Sequence, residues 1–322
     1  MNNFKKIGLT ALAASLVSVS AHAGEISVAG GASIDTSGYS GEELNAGTGF
    51  SMGNQLTFSG SGELDNGLNV AVSFVIDQGD DTSNATTNSP FDSHSVALST
   101  DGLGTLTFTG EGGTTTANMI DGSAAGDIWD KFDGLANADG QAVTSSAGNN
   151  SLYYSSPELM EGLTVQASYQ PQAANRVSGT GYGVEYTGVE GLTLKYANSD
   201  IVGTTSDASG DETVMYAQYA MGSFTITYTD MDSDIGTANG DYGQESVAVS
   251  YSVSDELSVT YGQEESKLEG TDVEAEYSGI SASYTAGGMT ISAGLWDASN
   301  ASYTTASNED YEKWTLGASF AF

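Results

Sequence analysis

The chain has 322 residues, with 42 acidic and seven basic side chains, a net charge of −35 and no cysteine. This charge excludes nucleic acid as a partner, because binding to phosphates requires a basic surface. Without cysteine the chain forms no disulfides, so an exported protein of this composition must be stabilised by its own architecture. Three prolines, 42 glycines and 17 tyrosines favour strands and tight turns over helices.

The first residues have the pattern of an export signal. Lys5 and Lys6 precede an apolar run at 7–19, and small residues then flank His22 in the pattern that a signal peptidase cleaves. The apolar run is too short to cross roughly 30 Å of hydrocarbon as a helix. We therefore predict a cleaved signal peptide at 1–23 and a single domain at 24–322. Five basic residues remain in that domain: Lys131, Arg176, Lys195, Lys267 and Lys313.

Alternation of apolar with small or polar residues recurs along the whole domain. In 68–76, the side chains of Leu68, Val70, Val72, Phe74 and Ile76 share one face of the predicted strand. The same alternation recurs at 163–169, 224–228, 247–251, 257–261 and 289–295. Period-two alternation indicates half-buried β-strands. Since no window after residue 24 has the apolar length of a spanning helix, any passage through a membrane must use strands.

The links between these strands are short on one side and long on the other. Seven short links with turn residues predict seven hairpins: 64–67, 100–104, 157–162, 187–191, 221–223, 253–256 and 286–288. Single strands at 25–34 and 312–322 bring the count to sixteen. The long polar connections are 35–49, 78–93, 110–149, 170–180, 198–211, 230–243, 262–273 and 296–311. This asymmetry and the even strand number are typical of an outer-membrane barrel, and a barrel of this size leaves an aqueous channel.

A soluble β-sandwich also alternates, so the chemistry of the two faces must discriminate. The non-apolar face is rich in Ser, Thr, Gly, Gln and Asn but poor in charge, and the apolar face often ends in tyrosine. The tyrosines near strand ends are Tyr169, Tyr196, Tyr228, Tyr251, Tyr261 and Tyr284. They predict aromatic girdles at the lipid headgroups. We also expect a β-bulge near 277–280, where the alternation changes phase.

The third long connection, 110–149, is unusual in length for a compact domain. We predict that it folds into the opening of the cylinder and that its carboxylates form a negative constriction, which favours cations. The predicted constriction residues are Glu111, Asp121, Asp127, Asp130, Lys131, Asp133 and Asp139. A short helical turn at 128–132 would anchor the loop through Trp129 and Phe132, with Asp127 as its N-cap. Alternation also directs Lys195 and Lys313 into the lumen.

A candidate calcium site lies in the sixth long connection. Asp230, Asp232 and Asp234 alternate as in a calcium-binding loop, with Asp241 as a candidate closing ligand. A merely solvated acidic loop is the alternative, because the glycine and the closing residue depart from the pattern. No cofactor is required by this sequence. Structural calcium or magnesium that bridges acidic loops to anionic lipopolysaccharide is a second hypothesis.

Four places carry a resemblance to a known family. They are the export signal, the segment 95–108 before the long loop, the segment 149–157 after it, and the final strand 314–322. Together they resemble a Gram-negative general porin of the alphaproteobacterial type. The resemblance implies a homotrimer with one pore per subunit, constricted by the third loop, and implies that Phe322 is the signal read by the barrel-assembly machinery. The chain departs from many general porins because it has one arginine, Arg176, and so lacks an arginine ladder.

These features predict a sixteen-stranded antiparallel transmembrane β-barrel, all-β, with a long third loop folded into the pore. The predicted function is a multi-pass outer-membrane porin for passive diffusion of ions and small hydrophilic solutes, with cation preference. The alternative is an acidic exported β-protein that acts as a surface or calcium-binding module without a pore. His94 is the only histidine after residue 23, and no nucleophile motif accompanies it, so no enzymatic activity is predicted.

Overall fold

The computed structural model describes residues 26–40, 48–77, 92–120, 123–132, 149–173, 177–202, 209–235, 240–305 and 310–322. The strands are β1 Ser27–Ser40, β2 Thr48–Glu63, β3 Asn69–Asp77, β4 Ser93–Thr100, β5 Gly104–Glu111, β6 Ser151–Ser155, β7 Leu163–Gln170 and β8 Gly179–Val189, followed by β9 Leu192–Val202, β10 Ser209–Met221, β11 Phe224–Asp234, β12 Tyr242–Ser252, β13 Leu257–Leu268, β14 Ala275–Ala286, β15 Met289–Ser299 and β16 Tyr311–Ala321. One 3₁₀ helix, Trp129–Phe132, lies between β5 and β6. Among these residues no helix is long and apolar enough to span a membrane. The predicted signal peptide lies outside the described residues.

The sixteen strands form one closed antiparallel barrel in which each strand pairs with its neighbours in sequence. β1 closes the barrel by pairing with β16 over ten residue pairs. The terminal residue extends this seam, because Phe322 N donates to Gly30 O at 3.0 Å and Gly30 N donates to Phe322 O at 2.7 Å. Closure pairs both potential edge strands, so the predicted strand number and architecture are confirmed.

The two faces of the wall differ in polarity as the alternation predicts. On β11, Phe224, Ile226 and Tyr228 point outward and are 48%, 49% and 41% exposed, whereas Thr227 and Thr229 on the opposite face are buried. The six tyrosines of the predicted girdle also lie on the outer face, where each pairs with at least one apolar neighbour. An apolar outer face is unfavourable in water but suited to contact with lipid. The inner face is lined mainly by hydroxyl and amide side chains.

Several strands are longer than predicted. β1, β9, β11, β13 and β15 each continue between four and seven residues past the start of the long connection assigned from sequence. The predicted strands stopped where acidic residues begin, since acidic residues are depleted in strands. In the barrel these residues lie beyond the apolar band of the outer face. A polar environment outside the wall suits acidic side chains there, so the strand pairing continues through these residues.

The predicted bulge at 277–280 is wrong. β14 pairs in continuous register with β13 and with β15. The sequence pattern changes phase there because Tyr277 is an aromatic residue on the inner face, where it is buried at 2% exposure. Register shifts occur instead next to His94 and between Tyr186 and Val189.

Candidate functional site

The first described part of the long loop is bound to the inner faces of β7 and β9. Thr116 N donates to Ser168 Oγ at 3.2 Å, and Ala117 N donates to Ser199 Oγ at 3.0 Å. The hydroxyls of Thr116 and Ser199 share a further hydrogen bond at 2.9 Å. Wall hydroxyls thus satisfy main-chain groups of the loop that would otherwise be buried without partners. Ile120 then packs into an apolar cluster with residues of β9 to β12.

The next part of the loop crosses β11 and β12. Ala124 N donates to Thr229 Oγ1, and Ala125 N donates to Ser246 Oγ, both at 2.9 Å. Ser123 Oγ donates to Glu264 on β13. The loop uses the same chemistry as before, in which main-chain donors bind small hydroxyl side chains of the wall. Because residues 116–117 bind the inner faces of β7 and β9 and residues 123–125 bind those of β11 to β13, the described parts of the loop lie inside the closed barrel.

Glu264 receives the beginning of the 3₁₀ helix. Trp129 N donates to Glu264 Oε2 at 3.1 Å, and Glu264 is only 3% exposed. Asp127 has a left-handed φ of 51°, and its Oδ1 accepts a hydrogen bond from Trp129 Nε1 at 3.2 Å. Asp127 therefore binds the indole, while a carboxylate of the wall binds the Trp129 amide at this end of the helix.

The predicted aromatic anchors of the loop are confirmed. Phe132 is fully buried, and its ring centroid lies 6.2 Å from that of Tyr277 and 6.4 Å from that of Tyr311. Ile128 is buried in the same cluster, and Trp129 packs against it while partly exposed. The end of the described loop is thus fixed to β14 and β16 by apolar packing.

Two lysines of the wall face the interior. Lys195 faces inward as predicted, forms an ion pair with Glu185 at 3.5 Å and lies over the Tyr216 ring at 5.5 Å. Lys313 also faces inward, and its Nζ donates to the main-chain oxygen of Lys131. Asp130 is exposed on the 3₁₀ helix of the loop. Asp121, Asp133 and Asp139 lie outside the described residues, as does Arg176.

The β-bulge at the end of β5 changes the place of Glu111. Gly110 is the extra residue, and Glu111 consequently pairs with His94. His94 belongs to the outer-face row of Val96 and opposes Phe74 on β3. The register therefore places Glu111 away from the inner row of the strand, and its predicted position in the constriction is wrong.

Several interior carboxylates were not identified from the sequence, and among them Glu212 on β10 is fully buried. Glu264 lies in a stretch assigned to a loop, Glu185 lies on β8, and Asp35 lies on the part of β1 that was assigned to the first long connection. Alternation against outward Tyr261 points to an inward Glu264, so extending the predicted strand by three residues identifies it. No local signal indicated that Glu264 binds the loop, because its partners are more than 130 residues away.

Comparisons with known proteins agree with this geometry. A family model described as Gram-negative porin matches residues 8–322. The chain belongs to the Gram-negative porin family. The porin is thus a multi-pass channel protein of the outer membrane, with its barrel as the channel. No curated protein sequence matches it.

Solved structures of other porins share the fold of this porin. OmpT of Vibrio cholerae, in a form lacking loop L8, is 15% identical with a TM-score of 0.68, and the match covers 93% of this chain and 99% of that one. An anion-selective porin from Comamonas acidovorans is also 15% identical, with a TM-score of 0.68 and coverage of 92% and 99%. OmpF of Salmonella typhi, in complex with daunomycin, is 13% identical with a TM-score of 0.70 and coverage of 93% and 98%. At these identities the likeness concerns the fold alone.

The predicted calcium loop of this porin is part of strand β11. Asp230, Asp232 and Asp234 continue the outer face of Tyr228, so their carboxylates follow one another along a strand and do not encircle a common point. Asp241 Oδ1 accepts a hydrogen bond from Ile235 N at 3.1 Å. Within the described ranges, no group of three or more His, Asp or Glu side chains is arranged to hold a metal ion. The sequence-based assignment of these residues to a loop is therefore wrong.

Carboxylates do meet on the outer wall of the porin in another way. Asp230, Glu245, Glu265 and Glu276 lie directly opposite one another on β11 to β14, and we call them the outer carboxylate row. Lys267 Nζ lies 3.1 Å from oxygens of both Glu245 and Glu265, and 3.8 Å from an oxygen of Glu274 outside the row. A side-chain hydrogen bond with Glu265 raises the pKa of Glu274. One lysine thus offsets repulsion among several carboxylates, which are otherwise unfavourable as direct cross-strand neighbours.

Proposed function

We propose that this porin mediates passive diffusion of ions and small hydrophilic solutes across the outer membrane, with a preference for cations. The observation that carries the proposal is the loop bound across the interior of a closed barrel, with Asp130 exposed upon it. The wall around it is rich in hydroxyls, which suits a water-filled lumen. The family and fold are those of channel proteins, and an enzymatic activity is not part of the proposal.

The cation preference rests on the balance of charge around the loop. Asp127, Asp130 and Asp35 contribute negative charge to the interior, whereas Lys195 and Glu185 offset each other in an ion pair. Asp121, Asp133 and Asp139 add three carboxylates to the same loop in the sequence. Charges in a narrow passage with low-dielectric walls act on ions more strongly than they would in bulk water. The loop is therefore proposed as an acidic constriction, with Lys131 and Lys313 as minority cations.

Planar-bilayer recording of the purified protein in a salt gradient tests this proposal. A reversal potential of the sign given by cation flow is the expected result. Anion preference would refute the charge argument, and absence of any conductance would refute the channel itself. The pore-free alternative, an acidic binding module, predicts release from the membrane by a salt wash, whereas the barrel requires detergent for extraction.

We further propose that the porin is a homotrimer embedded in lipopolysaccharide, with divalent cations at the outer carboxylate row. Lys267 partly neutralises this row, and calcium or magnesium would bridge the remaining carboxylates to lipopolysaccharide phosphates.

Phe322 is proposed as the signal for the barrel-assembly machinery, since it is the exposed end of the closing strand at 75% exposure. Sedimentation of the detergent complex tests the trimer, and truncation of Phe322 tests the signal through the yield of folded protein in the outer membrane.

A further inference from the structure

A row of three inward side chains crosses the seam of the barrel. Tyr39 on β1 lies directly opposite Lys313 on β16, which lies directly opposite Trp296 on β15. Lys313 Nζ is 4.9 Å from the centre of the Tyr39 ring. Lys131 of the loop completes the set, with its Nζ 5.8 Å from the centre of the Trp296 ring. All four side chains keep part of their surface exposed. We call these four residues the seam cluster.

Trp296 is held flat against the wall. A Cβ atom added to Gly279 or to Gly294 would collide with its ring, so the two glycines provide the space in which the indole lies. Trp296 Nε1 donates to Thr315 Oγ1 at 3.0 Å, which fixes the rotation of the ring. A flat aromatic surface fixed in this way is preorganised for stacking, because its side chain is already ordered before a ligand binds.

The two lysines of the seam cluster are electrostatically unusual in this chain. Within the described residues neither Lys131 nor Lys313 forms an ion pair, whereas Lys195 is paired with Glu185 and Lys267 with three glutamates. Lys313 is held towards the loop by its hydrogen bond to the Lys131 main-chain oxygen. The cluster therefore places two ammonium groups, neither in an ion pair with a described residue, beside two aromatic rings in a chain whose net charge is strongly negative.

We propose that the seam cluster is a binding subsite for small anionic sugars within the lumen. The ammonium groups of Lys131 and Lys313 bind the phosphate or carboxylate of the solute, and the sugar ring stacks on Trp296. One row further along the wall, Thr315 and Ser37 are cross-strand neighbours, and Asp35 follows on the same face as a hydrogen-bond acceptor. These groups suit the hydroxyls of a sugar better than they suit a purely aromatic anion. The inference rests on the proposed channel function and deepens it.

Single-channel recording with glucose 6-phosphate as the probe tests this subsite. We expect brief, concentration-dependent interruptions of the current by glucose 6-phosphate, with weaker effects of glucose and of inorganic phosphate at the same concentration. In Lys313→Gln and Lys131→Gln the residence time should fall about tenfold or more, because each loses a charge-assisted hydrogen bond. Trp296→Leu should shorten the residence time several-fold by removing the stacking surface.

Two matched variants separate the cluster from a general effect of charge or of misfolding. Lys195→Gln removes the same charge from the same lumen but leaves the cluster intact, so it should keep the interruptions. Lys313→Arg should keep them as well, because the cation is retained. Equal interruption by glucose, or equal loss in Lys195→Gln, would overturn the subsite. Open channels without interruption by glucose 6-phosphate would overturn the subsite but not the channel, whereas absence of conductance would overturn the channel.

Discussion

The carboxylate of Glu264 on β13 accepts the main-chain N–H of Trp129 at 3.1 Å, across 135 positions of sequence. The same side chain accepts a hydrogen bond from Ser123 at the other end of the second described loop segment. A buried carboxylate that accepts several donors fixes their positions more strongly than neutral acceptors do. Glu264 thus attaches the loop inside the barrel to the wall through two hydrogen bonds.

Replacing Glu264 should weaken the attachment of the loop to β13. In Glu264→Ala the Trp129 N–H and the Ser123 hydroxyl lose their acceptor in a buried place, which costs about 1–3 kcal/mol. We expect a lower temperature for conversion of the native form to the unfolded form on a gel, and noisier single-channel currents. Glu264→Gln keeps one oxygen acceptor and should show the smaller change. If Glu264→Ala matches the wild type in both measurements, Glu264 does not fix the position of the loop.

Neutralising Asp130 should weaken the cation preference. Its carboxylate is exposed on the loop, and the Coulomb energy of a passing ion near such a charge is on the order of 1 kcal/mol in water. Asp130→Asn should therefore lower the cation-to-anion permeability ratio by roughly a factor of two. The measurement is the reversal potential in a salt gradient. Asp255→Asn, at an exposed short turn, is the charge-matched control and should leave the ratio unchanged.

Gly279 should not tolerate even a methyl group. A Cβ there would overlap the Trp296 ring, whereas a Cβ at Gly49 on β2 would meet open space. Gly279→Ala should destabilise the folded barrel by about 1–3 kcal/mol through overpacking, and Gly49→Ala should not. Urea unfolding in detergent, followed by tryptophan fluorescence, measures both variants. Equal stability of the two variants would show that the indole does not depend on the space above Gly279.

Removal of divalent cations should expose the repulsion within the outer carboxylate row. We expect chelation of calcium and magnesium to lower the temperature at which the native oligomer dissociates on a gel. Lys267→Gln should enlarge this decrease, because Glu245 and Glu265 lose the cation that lies between them. Lys195→Gln, which affects the interior, serves as the comparison. An unchanged dissociation temperature in both wild type and Lys267→Gln would exclude the proposed role of divalent cations.

Much of the architecture could be predicted from the sequence because its signals are local. Period-two alternation identified the strands and their faces, and the difference between short and long links identified the two ends of the barrel. The aromatic anchors of the loop were also recognisable, since Trp129 and Phe132 stand in an otherwise polar segment. Strand ends were missed where acidic residues follow the apolar band. Whether a strand can continue through acidic residues depends on the medium outside the wall, which the residues themselves do not reveal.

The sequence by itself determined the number of strands, their order and which side chains face lipid, since each follows from periodicity within a few residues. Only the tertiary structure decided which side chains meet across strands. Closure of the barrel sets the register, and the register places Lys313 between Tyr39 and Trp296 and aligns Glu245 with Glu265. The path of the loop, in turn, brings Trp129 to Glu264. These contacts join residues of different elements, and a shift of one residue in a strand would direct its side chains to the opposite face.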